Sequence, residues 1–142
     1  YHAQEEIPES DDAYDKSLDI MPDNTYVLNN YSYYLSLRKK NLEKASDMMK
    51  RCVELSPGQA SYEDTYAWVL YQLKDYNTAL IWIEKALASG GISSATIVEH
   101  YGDILYRLKR TIEALEQWQK AKELGSDSEN LDQKIADKKL YE

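Results

Sequence analysis

The sequence predicts an all-α fold in which antiparallel helix pairs repeat along the chain as a solenoid. Three observations support this prediction. Hydrophobic residues make up 43% of the 142 residues, with only five glycines and three prolines, so the chain is too apolar for disorder and too poor in turn residues for many strands. Apolar side chains recur at intervals of three and four residues, as in Leu80, Ile83 and Leu87. Similar segments also recur about every 35 residues.

The repeat is visible in both halves of each unit. In the first half, a tyrosine is followed by a small residue and, three positions later, by a leucine, at 31–35, 66–70 and 101–105. In the second half, Ala45, Ala79 and Ala114 are each followed by a larger side chain four positions later. The first halves are 35 residues apart, whereas the second halves are 34 and then 35 apart. We therefore expect one extra residue in the turn at 38–41 of the first unit, where insertions are tolerated.

Each half of a unit is expected to form one helix. Pro22 and Pro57 each follow an apolar helical segment, and Gly90 and Gly125 supply the same stop later in the chain. The predicted helix pairs span residues 25–38 with 42–55, 60–73 with 76–88, and 94–108 with 111–124.

The N-terminal end fits the same repeat. Residues 16–24 align with residues 51–59, so residues 9–21 are expected to be the second helix of an earlier unit. Residues 1–4 would then be the last turn of its first helix, and residues 5–8 the connecting turn. This alignment predicts that the chain is part of a longer array.

The C-terminal end is expected to form a capping helix, marked by Leu131, Ile135 and Leu140. A terminal helix of a solenoid needs a polar outer side. The charged residues predicted to lie on its solvent-exposed faces are Asp132, Lys134, Asp137 and Lys138.

Small residues are expected where the two helices of a unit cross. Ser32, Ala67 and Gly102 lie on the first helices, and the alanines at 45, 79 and 114 lie opposite them. The larger residues next to them would fill the space between successive units, because a single helix pair cannot bury its apolar face alone. These larger residues are Tyr31, Leu35, Tyr66, Leu70, Tyr101 and Leu105.

These residues resemble the signature of the tetratricopeptide repeat (TPR) family, W-x2-L-G-x2-Y, A-x3-F and P at fixed spacing. The match covers almost the whole chain, although the first aromatic residue is replaced by Leu28, Glu63 and Val98. The resemblance implies a right-handed superhelical solenoid, similar to the C-terminal part of a longer bacterial TPR array. Its predicted divisions are a partial repeat at 1–24, repeats at 25–59, 60–93 and 94–126, and a capping helix at 127–142.

The resemblance also implies a concave groove, lined by the first helices, that holds an extended peptide or a partner helix. Aromatic residues on this face could anchor a ligand, and its carboxylates would favour a basic or neutral one. The simpler alternative is that tyrosine is the general packing aromatic, since the chain has 13 Tyr and no Phe. The candidate groove residues are Asn29, Tyr33, Asp64, Trp68, Tyr71, Glu99, Asp103 and Tyr106.

Two ligand classes known for helical repeats are disfavoured. The net charge of −8 and pI near 4.8 argue against a nucleic-acid partner. Chaperone-adaptor members of the family hold a C-terminal carboxylate with lysine, asparagine and arginine side chains, and this chain lacks that set of cations. The residues in the corresponding positions are Asn29, Tyr33, Thr65, Thr96 and His100.

The sequence contains no catalytic or metal-ligating pattern, and we predict a non-catalytic scaffold that needs no cofactor and no metal. His100 lies beside Glu99 and one turn from Asp103, which allows a metal or proton-transfer site, but an ordinary surface histidine is the simpler interpretation. Cys52 takes the place of Ala86 and Ala121 and is expected to be buried and unreactive.

Several alternatives stay open at the level of sequence. The chain could be the recognition arm of a larger enzyme, for example a transferase, or an assembly factor in a cell-envelope complex. Its partner, its oligomeric state and its compartment, cytoplasmic or bacterial periplasmic, are not specified by the residues. No apolar run approaches the ~20 residues that a membrane-spanning helix needs.

Overall fold

The computed structural model describes residues 7–126 and 131–137. Within these ranges the chain forms eight α-helices, one short 3-10 turn at Gly91–Ser93 and no β-strand. The all-α prediction is therefore confirmed. The helices are α1 (Ile7–Ile20), α2 (Thr25–Arg38), α3 (Leu42–Leu55), α4 (Ala60–Gln72), α5 (Tyr76–Ala88), α6 (Ala95–Arg107), α7 (Thr111–Glu123) and α8 (Leu131–Asp137).

Successive helices pack as pairs, α2 with α3, α4 with α5 and α6 with α7, and the first helices α2, α4 and α6 also contact one another in order. The six predicted helices are confirmed to within one residue at each end. None of the helices in the described ranges has the length and hydrophobicity needed to cross a lipid bilayer.

Polar side chains start three of the helices. Asn24, Asp75 and Ser94 each accept a hydrogen bond from the backbone N–H three residues later, at 3.2–3.3 Å, which satisfies an otherwise unpaired donor of the first turn.

The turns inside the units repeat as well. Lys39, Lys74 and Lys109 all have positive φ, between 53° and 65°, two or three positions before the second helix of each pair begins. The first unit contains a second left-handed residue, Asn41, with φ 52°. The turn between Lys39 and α3 therefore contains the extra residue predicted at 38–41, which explains why α3 begins 34 residues before α5 whereas α2 begins 35 before α4.

The small residues lie where the helices of each unit cross, as predicted. Ala45, Ala67, Ala79 and Ala114 are completely buried. The hydroxyl of buried Ser32 donates a hydrogen bond to the Ala45 carbonyl at 3.3 Å, which joins α2 to α3 directly. Backbones packed this closely leave little room for a larger side chain.

Replacing Ala67 with leucine should lower the free energy of unfolding by about 1–3 kcal/mol, because the added carbons have no space at the α4–α5 crossing. Thermal and urea unfolding followed by circular dichroism would measure the effect. Ala88→Leu is the matched control, since Ala88 is exposed at the end of α5. Equal stability of the two variants would contradict this packing.

The N-terminal prediction is partly wrong. Helix α1 begins at Ile7, so residues 7 and 8 belong to the helix and not to the turn predicted at 5–8. Residues 1–4, predicted as the last turn of an earlier helix, lie outside the described residues, as do Lys138 and Leu140 of the predicted capping helix. The repeat boundaries stay a prediction.

Candidate functional site

The candidate site is an open cleft of about 280 Å³ formed by α2, α4 and α6. Its lining is mostly amide and hydroxyl side chains, with Asp64 and His100 as its ionisable groups apart from the Tyr33 phenol. Asn29, Tyr33 and Asp64 of the predicted groove take part in this lining. The complete lining is Asn29, Asn30, Tyr33, Ser61, Asp64, Thr65, Ser94, Thr96, Ile97 and His100.

His100 is held between two residues of α4. Its Nδ1 lies 2.8 Å from the Asp64 carboxylate, and both side chains are 13% exposed. The Trp68 ring stacks on the imidazole, with centroids 3.9 Å apart and planes 18° apart. A carboxylate can only accept a hydrogen bond, so Nδ1 carries a proton and points to Asp64. His100 is therefore a fixed part of the cleft wall and not an ordinary surface histidine.

The environment of His100 favours its charged form. Burial alone would lower the pKa of this imidazole, but the Asp64 carboxylate raises it, and Asp103 and Glu99 add to the increase, so the pKa lies above its ordinary value of 6.5.

Replacing Asp64 with asparagine should lower the pKa of His100, because the contacting carboxylate is the largest favourable influence on it. Proton–nitrogen NMR titration of the imidazole would measure the change. In the native chain, protonated His100 stabilises the fold below about pH 6.5, and this contribution is lost as the pH rises through the folded-state pKa. The stability difference between the two chains should therefore be larger near pH 6 than near pH 9. Asp47→Asn, at an exposed position of α3, is the control, and an equal shift in it would contradict the assignment.

The Trp68 ring packs on His100, and the Tyr71 ring packs on Trp68, so both rings contact other aromatic side chains. Their rings stack with centroids 4.5 Å and planes 6° apart, and Tyr71 is only 3% exposed. The Tyr71 hydroxyl accepts a hydrogen bond from Arg107 Nε at 3.3 Å, which joins α4 to α6. These two predicted anchors lie outside the cleft lining.

Glu99 and Asp103 are also buried, at 8% and 5% exposure, and they face the C-terminal helix. Lys134 of α8 places its Nζ 2.8 Å from Glu99 and 3.0 Å from Asp103. Burial would lower the pKa of Lys134, but the carboxylates of Asp103 and Glu99 raise it above its ordinary value. The expectation that Lys134 lies on a solvated face is wrong, since Lys134 is 5% exposed.

Two neutral donors also contact these buried carboxylates, and together with the ion pairs of Lys134 they form a buried network. Ser126 Oγ donates to Glu99 at 2.9 Å, and Trp118 Nε1 donates to Asp103 at 3.0 Å. Tyr106, the remaining predicted groove residue, is partly buried with its ring 5.8 Å from that of Trp118. The predicted groove residues therefore do not form one surface. Some line the cleft, Trp68 and Tyr71 form an aromatic stack, Glu99 and Asp103 pair with Lys134, and Tyr106 packs against Trp118.

Two other candidate chemistries concern metal ions and the single cysteine. Within 7–126 and 131–137, no group of three or more His, Cys, Asp or Glu side chains is arranged to hold a metal ion. Cys52 is fully buried, and burial raises the pKa of its thiol to about 11, so the reactive thiolate is scarce at neutral pH.

Comparison with known proteins gives structural matches only. No protein-family model matches the chain, and no curated protein matches it either. The first TPR domain of human RPAP3 matches with TM-score 0.73 and 17% identity over 82% of this chain and 91% of that one.

Two further solved structures are similar. The first TPR of Spaghetti (RPAP3) bound to the HSP90 peptide SRMEEVD has TM-score 0.72 and 16% identity, over 80% of this chain and 89% of that one. MamA has TM-score 0.77 and 16% identity, over 97% and 84%.

The structure therefore belongs to the class of α-helical repeat solenoids. Within that class, the chain has the tetratricopeptide-repeat fold, in agreement with the resemblance drawn from its sequence.

Proposed function

We propose that this chain is a non-catalytic interaction module that binds a peptide segment of a partner protein in the cleft between α2, α4 and α6. The observation that carries the proposal is the cleft itself. It is open to solvent, lined by three consecutive first helices, and rich in hydrogen-bonding side chains. A similar structure was solved with a bound HSP90 peptide, which supports peptide binding as a use of this fold.

The partner class follows from the cleft chemistry. Asp64 is already engaged by His100, and the cleft lining contains no lysine or arginine, so a C-terminal carboxylate finds no cationic clamp there. A neutral or basic segment fits better than an acidic one.

Selection from a displayed library of random peptides tests the proposal. The intact chain should enrich a set of peptides, and Thr96→Trp should weaken their binding about tenfold or more, because Thr96 is exposed in the cleft and the indole would occupy its space. Thr111→Trp is the matched control, with an exposed threonine at the start of α7. Peptides that bind the intact chain and Thr96→Trp equally would contradict the cleft as the binding site.

A further inference from the structure

We propose that the cleft between α2, α4 and α6 is a binding site for a neutral saccharide. The juxtaposition that carries this inference is an exposed aromatic ring on α2 together with hydroxyl, amide and imidazole groups of all three helices, within one open cleft of about 280 Å³. The inference goes beyond the proposed function. A saccharide attached to a peptide segment satisfies both, whereas a free oligosaccharide satisfies this inference alone.

The cleft offers little aliphatic surface. Among the described residues that line it, Ile97 is the only aliphatic one, and it is just 7% exposed. Sites for apolar ligands are lined mostly by hydrophobic side chains, because burial of apolar surface supplies much of their affinity. A ligand that fits this cleft must therefore gain its affinity largely from hydrogen bonds.

Hydrogen-bonding side chains are present on all three helices of the cleft. Asn30 lies on α2, Ser61 on α4 and Thr96 on α6, and both Ser61 and Thr96 are exposed. An amide side chain carries separate donors and an acceptor, and a hydroxyl can act as either. The hydroxyl groups of a saccharide also donate and accept, so they can pair with each of these side chains.

His100 adds a polar group whose direction is fixed. Its Nδ1 lies 2.8 Å from the Asp64 carboxylate and the Trp68 ring stacks on the imidazole, so Nε2 is the ring nitrogen left for a ligand. Nε2 accepts a hydrogen bond in the neutral imidazole and donates one in the imidazolium. A hydroxyl pairs with either form, whereas a carbonyl oxygen or an amide N–H pairs with only one. A saccharide therefore suits this histidine in both of its charge states.

Tyr33 supplies the aromatic surface. Its side chain lines the cleft and is 41% exposed. A pyranose ring has a face made of C–H groups, which can pack on an aromatic ring while the hydroxyls at its edge reach polar groups beside that ring. The cleft thus presents the two kinds of surface that a sugar ring requires.

The charges near the cleft favour a neutral saccharide over an acidic one. Asp64 and His100 pair with each other, and the described lining contains no lysine or arginine that would hold a sulfate or a carboxylate. Two further carboxylates, Glu99 and Asp103, lie on the same helix as His100, and the whole chain has a net charge of −8. Sialylated or sulfated saccharides would therefore be repelled.

A microarray of immobilised oligosaccharides tests the inference with the full chain, labelled through lysine, a residue absent from the described lining. The chain should bind neutral oligosaccharides and not sialylated or sulfated ones. Titration calorimetry with the best-bound neutral oligosaccharide should show that Tyr33→Ala and Thr96→Trp each weaken binding about tenfold.

Each variant has a matched control. Tyr26 lies on the same helix as Tyr33 and is 68% exposed but does not line the cleft, so Tyr26→Ala should bind like the intact chain. Thr111→Trp is the corresponding control for Thr96→Trp. Retention of no neutral oligosaccharide, a preference for acidic ones, or equal binding by Tyr33→Ala and Tyr26→Ala would overturn the inference.

Two comparisons identify the source of the saccharide and separate the two proposals. Equal affinity for the free oligosaccharide and for the same saccharide on a peptide would show that the sugar alone is the ligand, and tighter binding of the glycopeptide would show that the sugar belongs to a partner protein. Library peptides that Thr96→Trp blocks, with no oligosaccharide bound, would overturn this inference and leave the proposed function intact.

If Tyr33→Ala does not fold, NMR of the intact chain decides. Saturating neutral oligosaccharide should shift the ring signals of Tyr33 and His100 and leave those of Tyr26 unchanged, because only the first two line the cleft. Unchanged signals of Tyr33 and His100 would contradict the proposal.

Discussion

Replacing Lys134 with methionine should lower the free energy of unfolding by about 3–5 kcal/mol, because the substitution leaves two carboxylates buried without their cation. Glu99 and Asp103 have side chains only 11% and 7% exposed, and the Lys134 side chain is 6% exposed. Methionine keeps most of the side-chain volume, so the loss reports charge and not a cavity. Urea unfolding near neutral pH, followed by circular dichroism, would measure it.

The control is Lys122→Met. Lys122 also pairs with a residue of α8, Asp132, but these side chains are 59% and 75% exposed. Exposed pairs of this kind contribute about 0–1 kcal/mol, so this variant should be close to the native chain. Neutralising both acids, with Glu99→Gln and Asp103→Asn, should recover part of the stability lost in Lys134→Met. Equal losses in the two lysine variants would show that the buried network does not hold α8.

Gly102→Ala should also lower the free energy of unfolding, although alanine is ordinarily the better helix former by about 1 kcal/mol. A Cβ at Gly102 would lie 2.5 Å from Trp118 Cδ1 and 3.2 Å from the Ala114 carbonyl oxygen. Trp118 is fully buried and donates a hydrogen bond to Asp103, so it cannot move aside freely. The expected net loss is about 1–3 kcal/mol.

A double-mutant cycle separates the clash from the general effect of alanine. In a Trp118→Leu background the obstructing ring is gone, so Gly102→Ala should become neutral or stabilising. The coupling energy between the two positions measures the clash. A similar destabilisation by Gly102→Ala in both backgrounds would mean that Trp118 is not the obstacle.

The helices could be predicted from the sequence because the repeat supplies each element three times. A boundary that is ambiguous in one unit is marked in another, by Pro57 in the first and by Gly125 in the third. Even the extra residue near Asn41 was visible as a change from 35 to 34 in the spacing of the units. The repeat in the sequence marks the positions at which helices begin and end, and the helices of the structure begin and end within one residue of those positions.

The partners within the site could not be predicted in the same way. Hydrophobic periodicity assigns a lysine on a short terminal helix to solvent, because it does not register a carboxylate on a different helix. One signal was nevertheless present. Asn29, Asp64, Glu99 and Lys134 are each 35 residues apart, so Lys134 continues a series in which Asp64 and Glu99 pair with residues of the following unit.

His100 was underestimated for a related reason. Its Asp64 partner is 36 residues away, and the Trp68 ring that stacks on it belongs to the same neighbouring helix. Tyr71 was placed on the correct helix, but it is buried in the core, and its hydroxyl accepts a hydrogen bond from Arg107 of the next unit. Contacts between units decide which polar residues of a helix stay accessible.

The ion pairs between successive units give the units a fixed order. Deleting one period, residues 30–64, would keep every helix in phase but would place Asn29 opposite His100 where Asp64 now stands. The imidazole would lose its carboxylate although no residue near it in sequence had changed. The units are therefore alike in backbone but are not interchangeable, since each carries the charge that its particular neighbour requires.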